Sequence, residues 1–278
     1  MQIRTPAVAG MFYPQTQQEL KTTIKDCFLH DYGPGKLPPS SGNEKIFGVI
    51  CPHAGYMYSG PVAAHSFYAI SSLKPDLVII IGPNHYGLGC NVATMREGVW
   101  STPLGDVEVD TNAAIEANKN SKLIELDFLS HSRDHSLEVQ LPMLQEIYSH
   151  KFKILPIILI NQDHNAAIEI GLTIAKMIKG KNAVIIGSSD FTHYEKNEFA
   201  HKQDKALIEP ILDMDVDKFY RVLQEKQVSA CGYVAIASTM IACKDLGATR
   251  GTLLKYATSG DVTGDKSQVV GYGSIVFS

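Results

Sequence analysis

The sequence lacks the closely spaced cysteine pairs that mark disulfide frameworks and structural zinc sites. It has five cysteines, an odd number, and none of them forms a C-x-x-C pair: Cys27, Cys51, Cys90, Cys231 and Cys243. A fold stabilised by disulfides is therefore not expected. Free thiols are typical of a reducing compartment, so we predict a cytoplasmic protein.

Long apolar runs and an excess of basic residues are also missing. The longest apolar run, residues 154–160, contains a proline and is far too short to cross a bilayer, and the N-terminus has no apolar stretch typical of signal peptides. The 25 Lys and Arg residues are outnumbered by 29 Asp and Glu residues, which gives a formal net charge of -4. We therefore expect neither a nucleic-acid partner nor a membrane partner.

The chain does have enough apolar material for one large core, since hydrophobic residues make up 45% of it and charged residues only 19%. Three short β-branched runs are typical of buried parallel strands: residues 46–50, 77–81 and 183–186. Helical spacing is found near residues 61–72, 138–149, 164–179, 196–208 and 233–246. This alternation predicts one domain, residues 1–278, of the α/β class with three layers, α/β/α.

The last part of the chain indicates a mixed sheet. Residues 252–257 and 269–277 alternate in polarity on either side of the turn-rich Ser259-Gly260-Asp261, which predicts a terminal pair of antiparallel strands. The central sheet is therefore expected to be mixed and mostly parallel. Residues 31–43, rich in Pro, Gly and Ser, are predicted to form a loop and not a domain boundary.

Polar side chains follow each of the three predicted buried strands. His53 comes after the first strand, His85 after the second, and Asp190 with His193 after the third. In open α/β sheets, ligands bind outside the carboxyl ends of the strands, so we expect these residues to meet at one edge. One such histidine alone is more often an ordinary hydrogen-bonded imidazole. Three of them with an aspartate favour a functional site, because imidazole and carboxylate groups bind metals and transfer protons.

Four further residues have two interpretations each. Cys231 precedes a predicted helix, where the helix dipole would lower the pKa of a thiol, so it is either a metal ligand or nucleophile, or an inert buried residue. His135 and Glu138 either begin a helix or lie behind the site as supporting residues. Tyr56 either lines the pocket or packs with its hydroxyl bonded. The remaining histidines are expected at the surface: His30, His65, His131, His150, His164 and His201.

The sequence resembles the MEMO family from one end to the other. The matching stretches are Gly10-Met11-Phe12-Tyr13-Pro14, Pro52-His53-Ala54-Gly55-Tyr56, Tyr58-Ser59-Gly60, Gly82-Pro83-Asn84-His85, Thr102-Pro103-Leu104-Gly105, His135-Ser136-Leu137-Glu138, Leu141-Pro142, Ser188-Ser189-Asp190-Phe191-Thr192-His193, Cys231-Gly232 and Thr258-Ser259-Gly260-Asp261. Together these motifs are highly specific. The chain is most similar to prokaryotic members that occur alongside AMMECR1-like and radical-SAM proteins, which the resemblance implies as candidate partners.

The resemblance implies a fold similar to the LigB-type extradiol dioxygenases and a mononuclear non-haem iron. On this basis His53 and His85 match two imidazole ligands and Cys231 matches the third ligand. Asp190 and His193 match pocket residues beside the metal, with His193 in the place of an acid-base histidine. A thiolate ligand favours softer metals than a carboxylate does, so copper and zinc are alternatives to iron.

Three functions are compatible with this site. The first is a redox enzyme with dioxygenase-like chemistry on an unknown substrate, in which His193 transfers a proton and Asp190 orients it. The second is a non-catalytic module that binds a metal, a small molecule or a peptide in the same pocket. The third is metal-assisted hydrolysis with Asp190 or Glu138 as general base. A serine hydrolase is not indicated, because no G-x-S-x-G motif is present.

Overall fold

The computed structural model describes residues 2–39 and 45–278. Its strands are β1 (Ile3–Arg4), β2 (Gly48–Cys51), β3 (Leu77–Pro83), β4 (Val92–Thr94), β5 (Val99–Thr102), β6 (Gly105–Val109), β7 (Glu125–Leu126), β8 (Lys153–Leu159), β9 (Ala183–Ser188), β10 (His193–Glu195), β11 (Gly251–Thr258) and β12 (Val269–Phe277). Its α-helices are α1 (Gln17–Leu29), α2 (Tyr56–Ile70), α3 (Thr111–Asn120), α4 (Gln140–Ile147), α5 (His164–Ile178), α6 (Asn197–Leu212), α7 (Val216–Lys226), α8 (Tyr233–Asp245) and α9 (Ser259–Thr263).

The centre of the sheet consists of four parallel strands in the order β8-β3-β9-β2. Almost every residue of these strands is buried, as expected for β-branched runs covered on both faces. Because the strands are parallel, their carboxyl ends lie along one edge, which carries the loops that begin at residues 52, 84 and 189.

The sheet is mixed at its margins, as the sequence predicts. Strand β12 pairs antiparallel with β2, β10 and β11, and β5 pairs antiparallel with β6. Strand β8 also pairs antiparallel with β4 at its far end. The mixed, mostly parallel sheet and the terminal β11–β12 pair are therefore confirmed.

Two apolar cores cover the two faces of the sheet. Alternate residues of β3 point to opposite faces, with Ile79 and Ile81 in one core and Val78 and Ile80 in the other. The first core packs against α3, α5, α6, α7 and α8. The second packs against α1, α2 and α4. The three-layer α/β/α prediction is confirmed.

Some local predictions were wrong. The predicted turn at Ser259-Gly260-Asp261 begins the short helix α9, because Thr258 and Asp261 form a reciprocal capping box at its N-terminus. His131 was expected at the surface but is completely buried, at the end of the 3₁₀ helix Leu129–His131. Of the loop predicted at residues 31–43, the part up to residue 39 contains no helix or strand, and residues 40–43 lie outside the described residues.

No helix in the described part of the chain is both long enough and apolar enough to span a bilayer.

Candidate metal centre

Three histidines from distant parts of the sequence meet at the carboxyl edge of the sheet. His53 follows β2, His85 follows β3, and His135 lies in the loop before α4. One ring nitrogen from each of the three lies within 4.8 Å of the other two, which is the spacing of a set that can hold one metal ion. The sheet topology thus brings together the two histidines expected there, and the loop before α4 adds a third.

The ring of His53 is held in one tautomer by Ser188. The hydroxyl of Ser188 has a single hydrogen, which it donates to the backbone oxygen of Ser136 at 2.6 Å. Towards Nδ1 of His53, 2.9 Å away, the same hydroxyl must therefore accept a hydrogen bond. Gln140 donates a second hydrogen bond to this oxygen at 2.9 Å. Consequently Nδ1 of His53 carries the proton, and Nε2 presents a lone pair.

The ring of His85 is held in the same tautomer by a buried carboxylate. Nδ1 of His85 donates to Asp134 at 3.0 Å, and the backbone N–H of His85 donates to the same oxygen at 2.6 Å. Asp134 also accepts the backbone N–H of Ser136 at 2.8 Å. Burial alone would raise the pKa of Asp134, but the hydrogen bonds from His85 and Ser136 outweigh it and hold the pKa below its usual range. A carboxylate behind an imidazole is the usual support of a histidine metal ligand.

His135 is positioned by packing. Its ring stacks on that of His85, with centroids 4.5 Å apart and planes 16° from parallel, and Phe12 covers it at 4.6 Å. Burial, followed by the neighbouring His85, lowers the pKa of His135 to about 4. A neutral imidazole is the form that binds a metal.

The buried members of the cluster are electrically neutral at neutral pH. His53 is only 1% exposed, and burial, followed by His85 and His135, lowers its pKa well below the usual value. His85 remains partly open to solvent, with 29% of its side chain exposed. The cluster therefore combines a dry inner ligand with one that solvent or substrate can reach.

Cys231 contacts the inner histidine. Its Sγ lies 3.1 Å from Nε2 of His53 and accepts the backbone N–H of Asp190 at 3.4 Å. Burial, followed by the Asp190 carboxylate, raises the pKa of the thiol, whereas the helix-dipole argument predicted that it would be lowered. That prediction was wrong because desolvation of the thiol outweighs the hydrogen bonds from Asp190 and Ser189 that lower its pKa.

Asp190 joins two of these residues. Its carboxylate accepts the backbone N–H of His53 at 2.8 Å, and its own backbone lies against Cys231. Burial raises the pKa of Asp190 to about 6, although the hydrogen bond from His53 works in the opposite direction.

His193 lies at the margin of the cluster. Its Nδ1 donates to the backbone oxygen of Ser229 at 2.8 Å, so its Nε2 also has a free lone pair. It is close enough to His53 and Asp190 to contribute to lowering the pKa of both. Its neighbour Tyr194 has a left-handed backbone conformation with φ 60°, which an ordinary residue seldom adopts.

Two of the predicted supporting residues form hydrogen bonds within the protein and have a structural role. Tyr56 is buried and donates its hydroxyl to the backbone oxygen of Val139 at 2.7 Å, so it packs behind the site. Glu138 is completely buried, and its oxygens accept hydrogen bonds from Arg4, Ala7, Val8 and Tyr13. With four donors, Glu138 has no free lone pair for a general base.

Other residues of the centre were not predicted from the sequence. Asp134, Ser188 and Gln140 fix the rings or the loops from behind. Asp134 was next to a residue that had been singled out, and its position at i−1 of His135 was an available signal. Ser188 lies in the matching stretch that ends at His193, but Gln140 has no sequence signal of its own, because only the fold brings it to Ser188.

Comparisons with known proteins agree on one family. The family model described as "Memo-like protein" matches residues 4–276. A MEMO1 family protein from Nitrosopumilus maritimus is 62% identical over 275 residues, covering 99% of both chains. A MEMO1 family protein from Methanopyrus kandleri is 46% identical over 278 residues, covering 99% of this chain and 98% of the relative. A crystal structure of an uncharacterised protein from Escherichia coli K12 matches with a TM-score of 0.59 at 12% identity, covering 84% of this chain and all of the other, and so shares the fold.

Proposed function

Because the chain belongs to the family of Memo-like proteins, we propose that it binds one metal ion at the carboxyl edge of the sheet and uses it in redox chemistry. The observation that supports this proposal is the fixed tautomer of the two histidines. Nδ1 of His53 and of His85 each donates a hydrogen bond, so Nε2 of both presents a lone pair to a metal, with Cys231 Sγ 3.1 Å from that of His53. Imidazole ligands need this state.

The donor set fits iron, copper or zinc. Imidazole nitrogen binds all three metals, and a thiolate strengthens the preference for softer ions. In a tetrahedral site with ordinary bond lengths, a nitrogen ligand and a sulfur ligand are about 3.5 Å apart. The separation of 3.1 Å between Cys231 Sγ and His53 Nε2 is close to this value. We take Cys231 as the third ligand because the family resemblance implies it, with iron as the metal, and His135, the third member of the histidine set, is the alternative third ligand.

The surrounding side chains have roles in the proposed chemistry. Iron supplies reversible one-electron oxidation and open coordination positions, while the protein controls protons and water. His193 accepts or donates a proton at Nε2, because its Nδ1 is committed to Ser229. Asp190 fixes the positions of the His53 loop and the Cys231 thiol relative to each other. The exposed face of His85 leaves a path for a small substrate.

The test is metal content per chain after anaerobic reconstitution with Fe(II), Cu(I) or Zn(II). Wild type should retain one iron, and His53→Ala, His85→Ala and Cys231→Ser should each release it. His135→Ala separates the two possible third ligands, because it should weaken binding only if His135 coordinates the metal. His30→Ala is the matched control, since His30 follows the C-terminus of α1 and takes no part in the cluster.

The results distinguish the function classes. Loss of metal in the ligand variants, together with metal-dependent O2 consumption in wild type, supports a redox enzyme. Metal binding with no O2 consumption over a panel of catechol-like and thiol substrates supports a binding module. If wild type retains no metal, or if the ligand variants behave like His30→Ala, the metal site itself is wrong.

A further inference from the structure

Arg4 is a buried cation that reaches the loop carrying part of the metal centre. It is 1% exposed, and its guanidinium lies over the ring of Trp100, 4.5 Å from the centroid. Its Nε donates to the backbone oxygen of His131 at 3.0 Å, and its Nη2 donates to that of Asp134 at 2.6 Å. Its Nη1 forms an ion pair with Glu138. One side chain therefore holds residues 131–138 at three points.

The two groups of this loop that contact His85 lie between the first and the last of these three attachment points. The Asp134 carboxylate, whose own backbone oxygen is bound by Arg4, accepts the Nδ1 proton of His85. The following residue, His135, stacks on the His85 ring. Among the described residues the His135 ring has no hydrogen-bond partner, so its place depends on its backbone and on the packing of Phe12.

The ion pair also connects this loop to the N-terminal segment. Glu138 accepts the backbone N–H groups of Ala7 and Val8 at 2.9 and 3.1 Å, besides the hydroxyl of Tyr13. The same N-terminal segment carries Phe12, which covers His135. Arg4 and Glu138 thus hold in place both the loop that carries His135 and the N-terminal segment whose Phe12 packs on the His135 ring.

Stability alone does not account for such a pair. Replacing a buried ion pair with apolar residues of similar size is often neutral or stabilising, because two charges lose their hydration. A guanidinium, however, presents several donors in a rigid planar fork, which fixes the relative positions of its acceptors. Arg4 fixes the position of the Asp134 backbone, and apolar side chains could not reproduce this effect.

We propose that Arg4 is a positioning residue of the metal centre, acting on His85 through the backbone and carboxylate of Asp134. This inference rests on the proposed metal-binding function. Arg4 does not touch the cluster itself. It determines how firmly Asp134 holds His85 in the tautomer and orientation that bind the metal.

The experiment measures Co(II) affinity and the visible Co(II) spectrum of metal-free full-length protein. Arg4→Lys keeps the positive charge beside Glu138, but its single nitrogen cannot reach both backbone oxygens. We expect Arg4→Lys to weaken Co(II) binding at least ~10-fold, the lower end of the range for supporting residues of metal ligands. In the background of Asp134→Asn, Arg4→Lys should have a smaller effect, because both changes interrupt the same connection.

Two further variants separate positioning from stability. Arg4→Gln removes the charge and the planar fork but supplies one amide donor to Glu138, which keeps Ala7, Val8 and Tyr13 as donors, so this variant is expected to fold, and it should also weaken Co(II) binding at least ~10-fold. Ile174→Ala, at a fully buried position of α5, should lower the thermal midpoint without changing Co(II) affinity or the spectrum.

The outcomes are distinct. The inference is supported if the Arg4 variants bind Co(II) more weakly and with an altered spectrum. It also requires that the effects of Arg4→Lys and Asp134→Asn on affinity are not additive. Folded Arg4 variants that bind Co(II) with wild-type affinity overturn it while the metal site stands. Arg4→Lys and Asp134→Asn effects that simply multiply also overturn it, since Arg4 would then act by another route. Wild type that binds no Co(II) overturns the proposed function and this inference together.

Discussion

Ser188→Ala is expected to damage both stability and metal binding, because one hydroxyl serves three partners. In wild type this oxygen donates to the backbone oxygen of Ser136 and accepts from His53 and from Gln140. In the variant the Ser136 oxygen and the Nδ1–H of His53 lose their partner inside the protein. Gln140 is less affected, since it also donates to the backbone oxygen of Pro52 at 3.0 Å.

The magnitude follows from these two losses. A buried polar group left without a partner costs about 1–3 kcal/mol, so the variant should lose about 2–6 kcal/mol of unfolding free energy. Most domains have about 5–15 kcal/mol, which allows the variant to fold. With its tautomer no longer fixed, His53 should bind metal about 10–100-fold more weakly.

Urea unfolding of the metal-free protein measures the first effect, and Fe(II) titration under anaerobic conditions measures the second. Ser238→Ala is the matched control, since Ser238 is equally buried but its hydroxyl has no hydrogen-bond partner among the described residues. Ser238→Ala should therefore change unfolding free energy by less than about 1 kcal/mol. Equal behaviour of Ser188→Ala and Ser238→Ala in both assays would refute the tautomer argument.

Three further predictions concern buried groups away from the ligands. Asp204→Ala should lower unfolding free energy by about 3–5 kcal/mol in urea, because Asp204 is fully buried and accepts two hydrogen bonds from Thr192 and one from Tyr256; a loss below about 1 kcal/mol would contradict this. Gly271→Ala should lower the thermal midpoint strongly, because its Cβ would lie 1.9 Å from the Asp204 carboxylate, and an unchanged midpoint would rule out this contact. Burial lowers the pKa of His131 to about 3, so stability should be complete above about pH 6.5 and fall with acidification towards pH 3, by about 2–3 kcal/mol between pH 6.5 and 4.5. His131→Leu should reduce this pH dependence by about that amount, while the buried His53 and His135 keep their share of it, and an unchanged slope would contradict the assignment to His131.

The sequence predicted the central strands and the long helices well. The run at residues 77–81 became β3, Leu77–Pro83, and helical spacing at 164–179 became α5, His164–Ile178. Both segments have strong local periodicity that agrees with the tertiary packing. Helix α7, Val216–Lys226, was not predicted, although Asp215 caps its N-terminus and Phe219 and Leu223 lie on one face.

Proline obscured one central strand. Residues 153–159 form β8 although they include Pro156, which lies opposite Ile80 of β3. A proline cannot donate a ladder hydrogen bond, which makes a run that contains one a weak candidate for a central strand. Here the strand pairs with β3 on one side, and on the other with β6 at residues 153–154 and with β4 at residues 157–159, so Pro156 lies in the gap between these two pairings.

The candidate site was predicted in part for a clear physical reason. His53, His85 and Asp190 each follow a strongly marked strand, so the topology of a parallel sheet places them on one edge. The partners behind them depend on contacts over long sequence separations. Arg4 and Glu138 are 134 residues apart, and no local pattern indicates that they pair. His131 was wrongly placed at the surface because its burial depends on the same distant contacts.

Anomalous diffraction at the iron edge, from crystals loaded anaerobically with Fe(II), tests the central claim most directly. We predict one strong peak within about 2.0–2.3 Å of Nε2 of both His53 and His85, with Cys231 Sγ at about 2.3 Å. A peak bound through Nδ1, a peak elsewhere on the protein, or no peak in fully loaded crystals would contradict the proposed metal centre.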